Sequence, residues 1–186
     1  MIDQEQIRHA VATILGALGE DIEREGLAKT PRRVAELYTE LFSGLTRDPS
    51  EVLSTTFDGT DAGLVAFSNL PFFSVCEHHL LPFIGTASVG YLPDGRVVGA
   101  SKVARALDIL ARRLQMQERL TAQLADALVD NIRPQGVGVI LEAEHLCMSL
   151  RGVKKPGTRM VTSAYRGEFE TDVELRQELR SMARSV

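Results

Sequence analysis

The sequence contains no tryptophan and only two cysteines, Cys76 and Cys147, among 186 residues. In a reducing compartment a structural disulfide between two such distant thiols is not expected. Long apolar runs are also missing. None approaches the roughly 18 residues a membrane helix needs, so no membrane partner is expected. Nor is there an excess of basic charge: 21 Lys and Arg stand against 25 Asp and Glu, for a formal net charge of -4. That balance argues against nucleic acid as a partner, and any anionic ligand must be caught by a local basic cluster. The first ten residues, MIDQEQIRHA, are acidic and polar where a secretory signal would be basic and then apolar, which predicts a cytoplasmic protein. What remains is ordinary globular material, 44% hydrophobic and 25% charged, enough for one core.

The apolar periodicity divides the chain. Ile7, Val11, Ile14, Leu15 and Leu18 recur at helical spacing up to the Leu18-Gly19 break. A second helix is predicted with Thr30 as N-cap, Pro31 in its first turn, a stripe of Val34, Leu37, Tyr38, Leu41 and Phe42, and Gly44 as its end. From Leu64 to Ala100 the pattern shortens to β-rich runs, with Pro93-Asp94-Gly95 as a hairpin turn. Ser101 is expected to cap a helix striped by Val103, Leu107, Leu110 and Leu114. A further helix carries Leu120, Leu124, Leu128 and Ile132 and closes at Pro134-Gln135-Gly136. Strand character returns over 136–152 and 158–169, and a last helix begins at Thr171, with Glu174 completing a capping box. The order predicts an N-terminal helical region over 1–60. A ββααββ unit follows over 61–186, an α+β antiparallel sheet with helices on one face, in a single-domain chain. Such a sheet leaves its edges open, and pairing with other copies would cover them, so a homo-oligomer is expected.

Chemistry concentrates in two short segments. In Cys76-Glu77-His78-His79 a single backbone turn would aim the thiol and the imidazole of His79 at one point, and that donor pair suits zinc. Alone, such a spacing is weak, and two isolated cysteines are commonly just small buried hydrophobes. The second segment runs from Glu144 to Arg151. Read as a strand, it would send Leu146, Met148 and Leu150 into a core and set His145, Cys147, Ser149 and Arg151 on the opposite face. Cys76, His79 and Cys147 would then hold a metal with one position open, the pattern of a catalytic zinc site. His78 or His145 as a fourth ligand would make it structural. The catalytic reading keeps these two histidines as proton carriers. Lys102 and Arg105, in the first turn of a predicted helix, suit a phosphate, against the plainer reading of a solvated basic face. Arg151, Lys154 and Lys155 would add charge. Gln117-Glu118 could hold a guanine edge, although a glutamate opening a helix needs no such explanation.

Together these segments resemble the GTP cyclohydrolase I family. The carrying motifs are TPRRVAELY (30–38), FFSVCEHHLLPFIG (72–85), GASKVARAL (99–107), QMQERLTAQLADAL (115–128), EAEHLCMSLRGVKKPG (142–157) and VTSAYRG (161–167), in the family's order. The resemblance implies the tunnel fold, whose ββααββ units join edge to edge into a barrel. Two stacked pentameric rings would make a homodecamer with sites between subunits. It implies Zn2+ on Cys76, His79 and Cys147, and attack of an activated water on C8 of GTP. His78 would protonate N7, His145 would assist proton transfer, and Ser101 would help a later ribose rearrangement. Formate and 7,8-dihydroneopterin triphosphate would be the products, at the entry to folate or tetrahydrobiopterin synthesis. The resemblance further implies guanine recognition by Gln117 and Glu118, and a triphosphate grip by Lys102, Arg105 and Arg151. Two alternatives remain at this level: a related enzyme that stops at the ring-opened stage, and a structural-zinc scaffold without turnover.

Overall fold

The computed structural model describes residues 2–60 and 63–184. Two helices, α1 (Gln4–Ala17) and α2 (Thr30–Leu41), pack on each other at the N-terminus, followed by the short α3 (Ser50–Leu53) and the strand β1 (Thr56–Asp58). β2 (Val65–Cys76) and β3 (Pro82–Leu92) come next, then β4 (Arg96–Val98), α4 (Ala100–Ala111), the two-residue β5 (Leu114–Gln115) and α5 (Gln117–Ile132). The chain ends with β6 (Gly136–His145), the single turn α6 (Leu146–Ser149), β7 (Arg159–Gly167), α7 (Glu168–Thr171) and α8 (Val173–Arg184). The expected boundary between residues 60 and 61 abuts residues 61–62, which lie outside the described residues.

The main sheet has the order β5-β2-β3-β6-β7 and is antiparallel except for the β2–β5 pair. This realises ββααββ, with β2–β3 and β6–β7 as the strand pairs and α4 and α5 between them. Strand alternation decides which side is core. Phe83, Ala87, Val89 and Tyr91 of β3 and Val137, Val139, Leu141 and Ala143 of β6 are fully buried, and their register puts them on one face. There they meet Leu107, Leu120, Leu124 and Leu128 from the apolar stripes of α4 and α5. Burying each such side chain contributes about 1.5–3 kcal/mol before entropy is counted. The opposite face is not bare of helix, contrary to the expectation from sequence. Leu179 of α8 and Phe169 of α7 fill the space above Gly90 and Gly138, where a Cβ would lie 2.7 Å from Leu179. A side chain at either position would have to displace these Leu179 and Phe169 side-chain atoms.

Several local expectations are corrected by pairing. Pro93-Asp94-Gly95 does turn the chain, but β4 pairs with β1 instead of folding back on β3. Both edges of β3 are already taken, by β2 and β6, so no ladder position is free. Tyr91 compensates by accepting the Val98 N–H on its hydroxyl at 3.1 Å. Thr30 and Ser101 lie inside the first turns of α2 and α4, not at their caps, and Thr171 likewise precedes its helix without capping it. Asp172 accepts the Leu175 N–H at 2.9 Å at the start of α8. The second helix stops at Leu41, before Gly44, and Leu114 leaves the α4 stripe for β5, where it is exposed.

Gly85 is a sharp test of this packing. An ideal Cβ there would lie 1.9 Å from the Glu142 carbonyl oxygen and 2.6 Å from Ala143 Cα, both backbone atoms of a central strand. Gly85→Ala is expected to destabilise by roughly 3 kcal/mol or more, a Tm loss on the order of 6–12 °C for a chain of this size. Gly16→Ala, inside α1 with open space around it, should be neutral or stabilise by up to about 1 kcal/mol. Thermal unfolding of the two variants side by side checks the contrast.

Candidate metal centre

The turn between β2 and β3 assembles the first half of the site. The Cys76 N–H donates to Leu81 O at 2.9 Å and the Leu80 N–H to Cys76 O at 2.9 Å, closing a tight loop in which Leu80 takes a left-handed φ of 53°. Glu77 anchors the loop from outside. Its N–H donates to Gln115 O, and its carboxylate pairs with Arg119, which also donates to Leu114 O. That guanidinium holds the Glu77 carboxyl below its usual range.

The second half arrives on β6 by a route that differs from the strand reading. Pairing with β3 ends at Phe83↔His145, because β3 begins at Pro82 and offers no partner beyond. Without a ladder the backbone satisfies itself locally, and Leu146–Ser149 makes one helical turn, with the Leu150 N–H donating to Leu146 O at 3.0 Å. Leu150 is consequently exposed instead of buried, while Cys147 turns inward against the core. Glu144 secures the following loop by accepting from Ser149 Oγ at 2.6 Å and from the Gly157 N–H at 3.0 Å.

These two pieces bring the donor atoms of Cys76, His79 and Cys147 within 4.8 Å of one another. Tetrahedral zinc with sulfur at ~2.3 Å and nitrogen at ~2.0–2.1 Å needs donors somewhat under 4 Å apart, so the three residues fit such an ion after a small contraction. Burial and the neighbouring Cys76 sulfur push the Cys147 thiol up, and a divalent cation reverses that cost by favouring thiolate. Neither His78 nor His145 belongs to the cluster. The side chain of His78 is 60% exposed, with Nδ1 3.8 Å from Cys76 Sγ. The ring of His145 stacks on Phe83 with centroids 4.6 Å apart and planes 1° from parallel, and burial holds its pKa below the ordinary value. Arg151 Nη1 donates to His79 Nε2 at 2.6 Å. A metal on Nε2 would displace it, and a metal on Nδ1 would leave Nε2 protonated and unable to accept. Metal ligation by His79 and this contact therefore exclude each other.

The remaining candidates divide by position. Glu118 is exposed at the start of α5, close enough to His145 to act on its charge. Gln117 beside it is fully buried, with its side chain bonded inside the protein. Ser101 and Lys102 sit at the other end of the sheet, with Arg105 midway along α4, which runs back to Ala111 beside Ser74. β3 runs from Phe83, beside His145, to Tyr91, whose hydroxyl touches Val98 just ahead of α4. Eight residues of strand separate the two ends by roughly 25 Å. One chain thus gathers the cysteine and histidine cluster with Glu118 and Arg151, but not with Ser101 and Lys102. Arg105 instead lines a shallow cavity with Arg47 and Arg112. Sequence reasoning missed Phe83, Arg119, Thr121 and Thr162. Only Thr121 left a signal, as a hydroxyl on the buried side of a leucine-rich helix.

Comparison with known proteins places these features in context. Residues 7–184 match the family described as GTP cyclohydrolase I. The chain is 54% identical over 182 residues to GTP cyclohydrolase 1 of Halalkalibacterium halodurans, covering 97% of each. It is 52% identical over 184 residues to the protein of that name from Dehalococcoides mccartyi, covering 98% of this chain and 97% of the relative. A third relative of the same name, from Caldanaerobacter subterraneus subsp. tengcongensis, is 52% identical over 186 residues, 100% of this chain and 99% of its own.

Proposed function

The chain belongs to the GTP cyclohydrolase I family, and from that premise we propose that it is a zinc enzyme opening the guanine imidazole ring of GTP at C8. Formate and 7,8-dihydroneopterin triphosphate would be its products. The observation that carries the reading is the convergence of Cys76, His79 and Cys147, brought by two separate turns to one point. A zinc ion held there would supply a water able to lose its proton near neutral pH. His78, beside the cluster and open to solvent, gives a proton to the purine nitrogen as the ring opens. His145 moves a second proton from a ring held flat against Phe83. Glu118, exposed at the start of α5, accepts from the guanine edge with its carboxylate.

The triphosphate is assigned to Lys102, Arg105 and Arg151, and the later ribose rearrangement to Ser101. Arg151 comes free for the phosphate when His79 takes up metal, since the two contacts exclude each other. The far position of Ser101 and Lys102 has a consequence for assembly. If they serve the same substrate, they serve it from a neighbouring copy, which supports the tunnel-fold barrel and a homodecamer with sites between subunits. The free thiols of Cys76 and Cys147 suit a reducing cytoplasm. No helix among the described residues is long and apolar enough to cross a membrane.

The test is direct. Zinc-loaded protein incubated with GTP should release formate and yield a pterin that fluoresces after oxidation. Formate without a pterin would point to an enzyme halting at the ring-opened stage, and no formate at all would overturn the assignment.

A further inference from the structure

The side chain of Gln117 is fully buried, and every polar atom on it is spoken for. Its Nε2 lies within hydrogen-bond distance of three acceptors, Leu141 O at 3.1 Å, Met160 O at 3.0 Å and Thr162 Oγ1 at 3.1 Å, which share its two hydrogens. Its Oε1 lies 2.8 Å from His145 Nε2. The two backbone carbonyls only accept, so the amide has one orientation. Turned over, it would set its own oxygen against both of them. With Oε1 fixed toward the ring, the bond to His145 exists only if Nε2 carries the hydrogen.

The hydroxyls behind Gln117 are ordered in the same sense. Thr121 Oγ1 donates to Gln117 O at 2.6 Å, because a carbonyl can only accept. Its hydrogen is thereby used, and the 2.7 Å contact with Thr162 makes Thr162 the donor there. Thr162 Oγ1 is then left to accept from Gln117. The acceptors come from neighbouring rungs of the β6–β7 ladder, where Leu141 pairs with Thr162 and Ala143 with Met160.

The geometry points to Gln117 as a positioning residue that holds neutral His145 in the Nε2–H tautomer. Nδ1 is then the only basic nitrogen of the ring. This deepens the reading of His145 as a proton carrier and rests on it: with Nε2 committed to Gln117, Nδ1 is the nitrogen left for that role. The Gln117 oxygen holds Nε2–H, and Phe83 fixes the plane of the ring. It also divides the Gln117-Glu118 pair, leaving the guanine edge to Glu118 alone.

The tautomer can be read without turnover, from solid-state 15N spectra of zinc-loaded protein carrying ring-labelled histidine. The spectra are taken at alkaline pH, where an imidazole is neutral, and the His145 signals are assigned by their loss in His145→Gln. Bare Nδ1 and protonated Nε2 are expected. Gln117→Met keeps the volume and removes the acceptor; His145 should then lose its single tautomer. The accompanying fall in kcat should be roughly ten- to hundred-fold, with KM for GTP little changed. Thr162→Val, which leaves both carbonyls in place, should not disturb the tautomer. Protonated Nδ1 in the wild type, or an unaltered His145 spectrum in Gln117→Met, would overturn the assignment. So would a rise in KM with kcat intact, since that marks a guanine contact. A wild type that does not turn over GTP would sink the functional reading while leaving the tautomer measurement valid.

Discussion

Cys147→Ser is expected to cost the protein its metal and more than about 10³-fold in GTP turnover, equivalent to at least ~4 kcal/mol in the barrier. A serine hydroxyl is a hard, protonated donor at neutral pH, whereas the sulfur it replaces ionises readily beside a divalent cation. Only three donors converge among the described residues, so losing one leaves two, with no fourth side chain to take over. The fold should survive. Cys147 lies at the margin of the core, on a turn held by the Glu144 clasp to Ser149 and Gly157. Metal analysis of the purified variant together with its unfolding curve decides the matter. A variant that keeps stoichiometric zinc would show that the three-residue cluster is not the binding site.

The second large effect is expected at His78, and it runs the other way for the metal. His78→Ala should lower turnover by about 10²–10⁴-fold, the range for losing a general acid, while zinc stays bound. The ring stands outside the donor cluster, largely in solvent, and meets it through the 3.8 Å approach of Nδ1 to Cys76 Sγ and an edge-on contact with the His79 ring. Removing it takes no ligand and opens no core cavity. Zinc content measured alongside formate release separates the alternatives. Metal lost together with activity would make His78 a fourth ligand and the site a structural one. Read with Cys147→Ser, the pair distinguishes a residue that holds the ion from one that works beside it.

How far the site was legible depended on the range of the interaction. Cys76 and His79 are three apart, and a single turn governs their relation, so local spacing carried that half. Cys147 was identified correctly as a companion, but on a strand that does not exist there. The strand requires a partner, and whether β3 extends past Pro82 to provide one is a property of another segment. The same reason moved Leu150 from core to surface and unpaired the hairpin at Pro93-Asp94-Gly95. Caps failed for a related cause. Thr30, Ser101 and Thr171 are all suitable residues, but suitability fixes a helix start only to within a residue or two.

By itself, the sequence determined the ββααββ order, the faces of α4 and α5 that carry the core, and the two segments in which candidate ligands are concentrated. These follow from periodicity and short-range spacing, which backbone geometry translates without reference to the rest of the chain. Tertiary structure alone decided which strands share edges, that α8 closes part of the second face over Gly90 and Gly138, and that Ser101 and Lys102 stand a sheet's length from the metal cluster. It also decided the orientation of Gln117. An amide reads identically in sequence whichever way it points, and only carbonyls delivered by β6 and β7 tell its oxygen where to face.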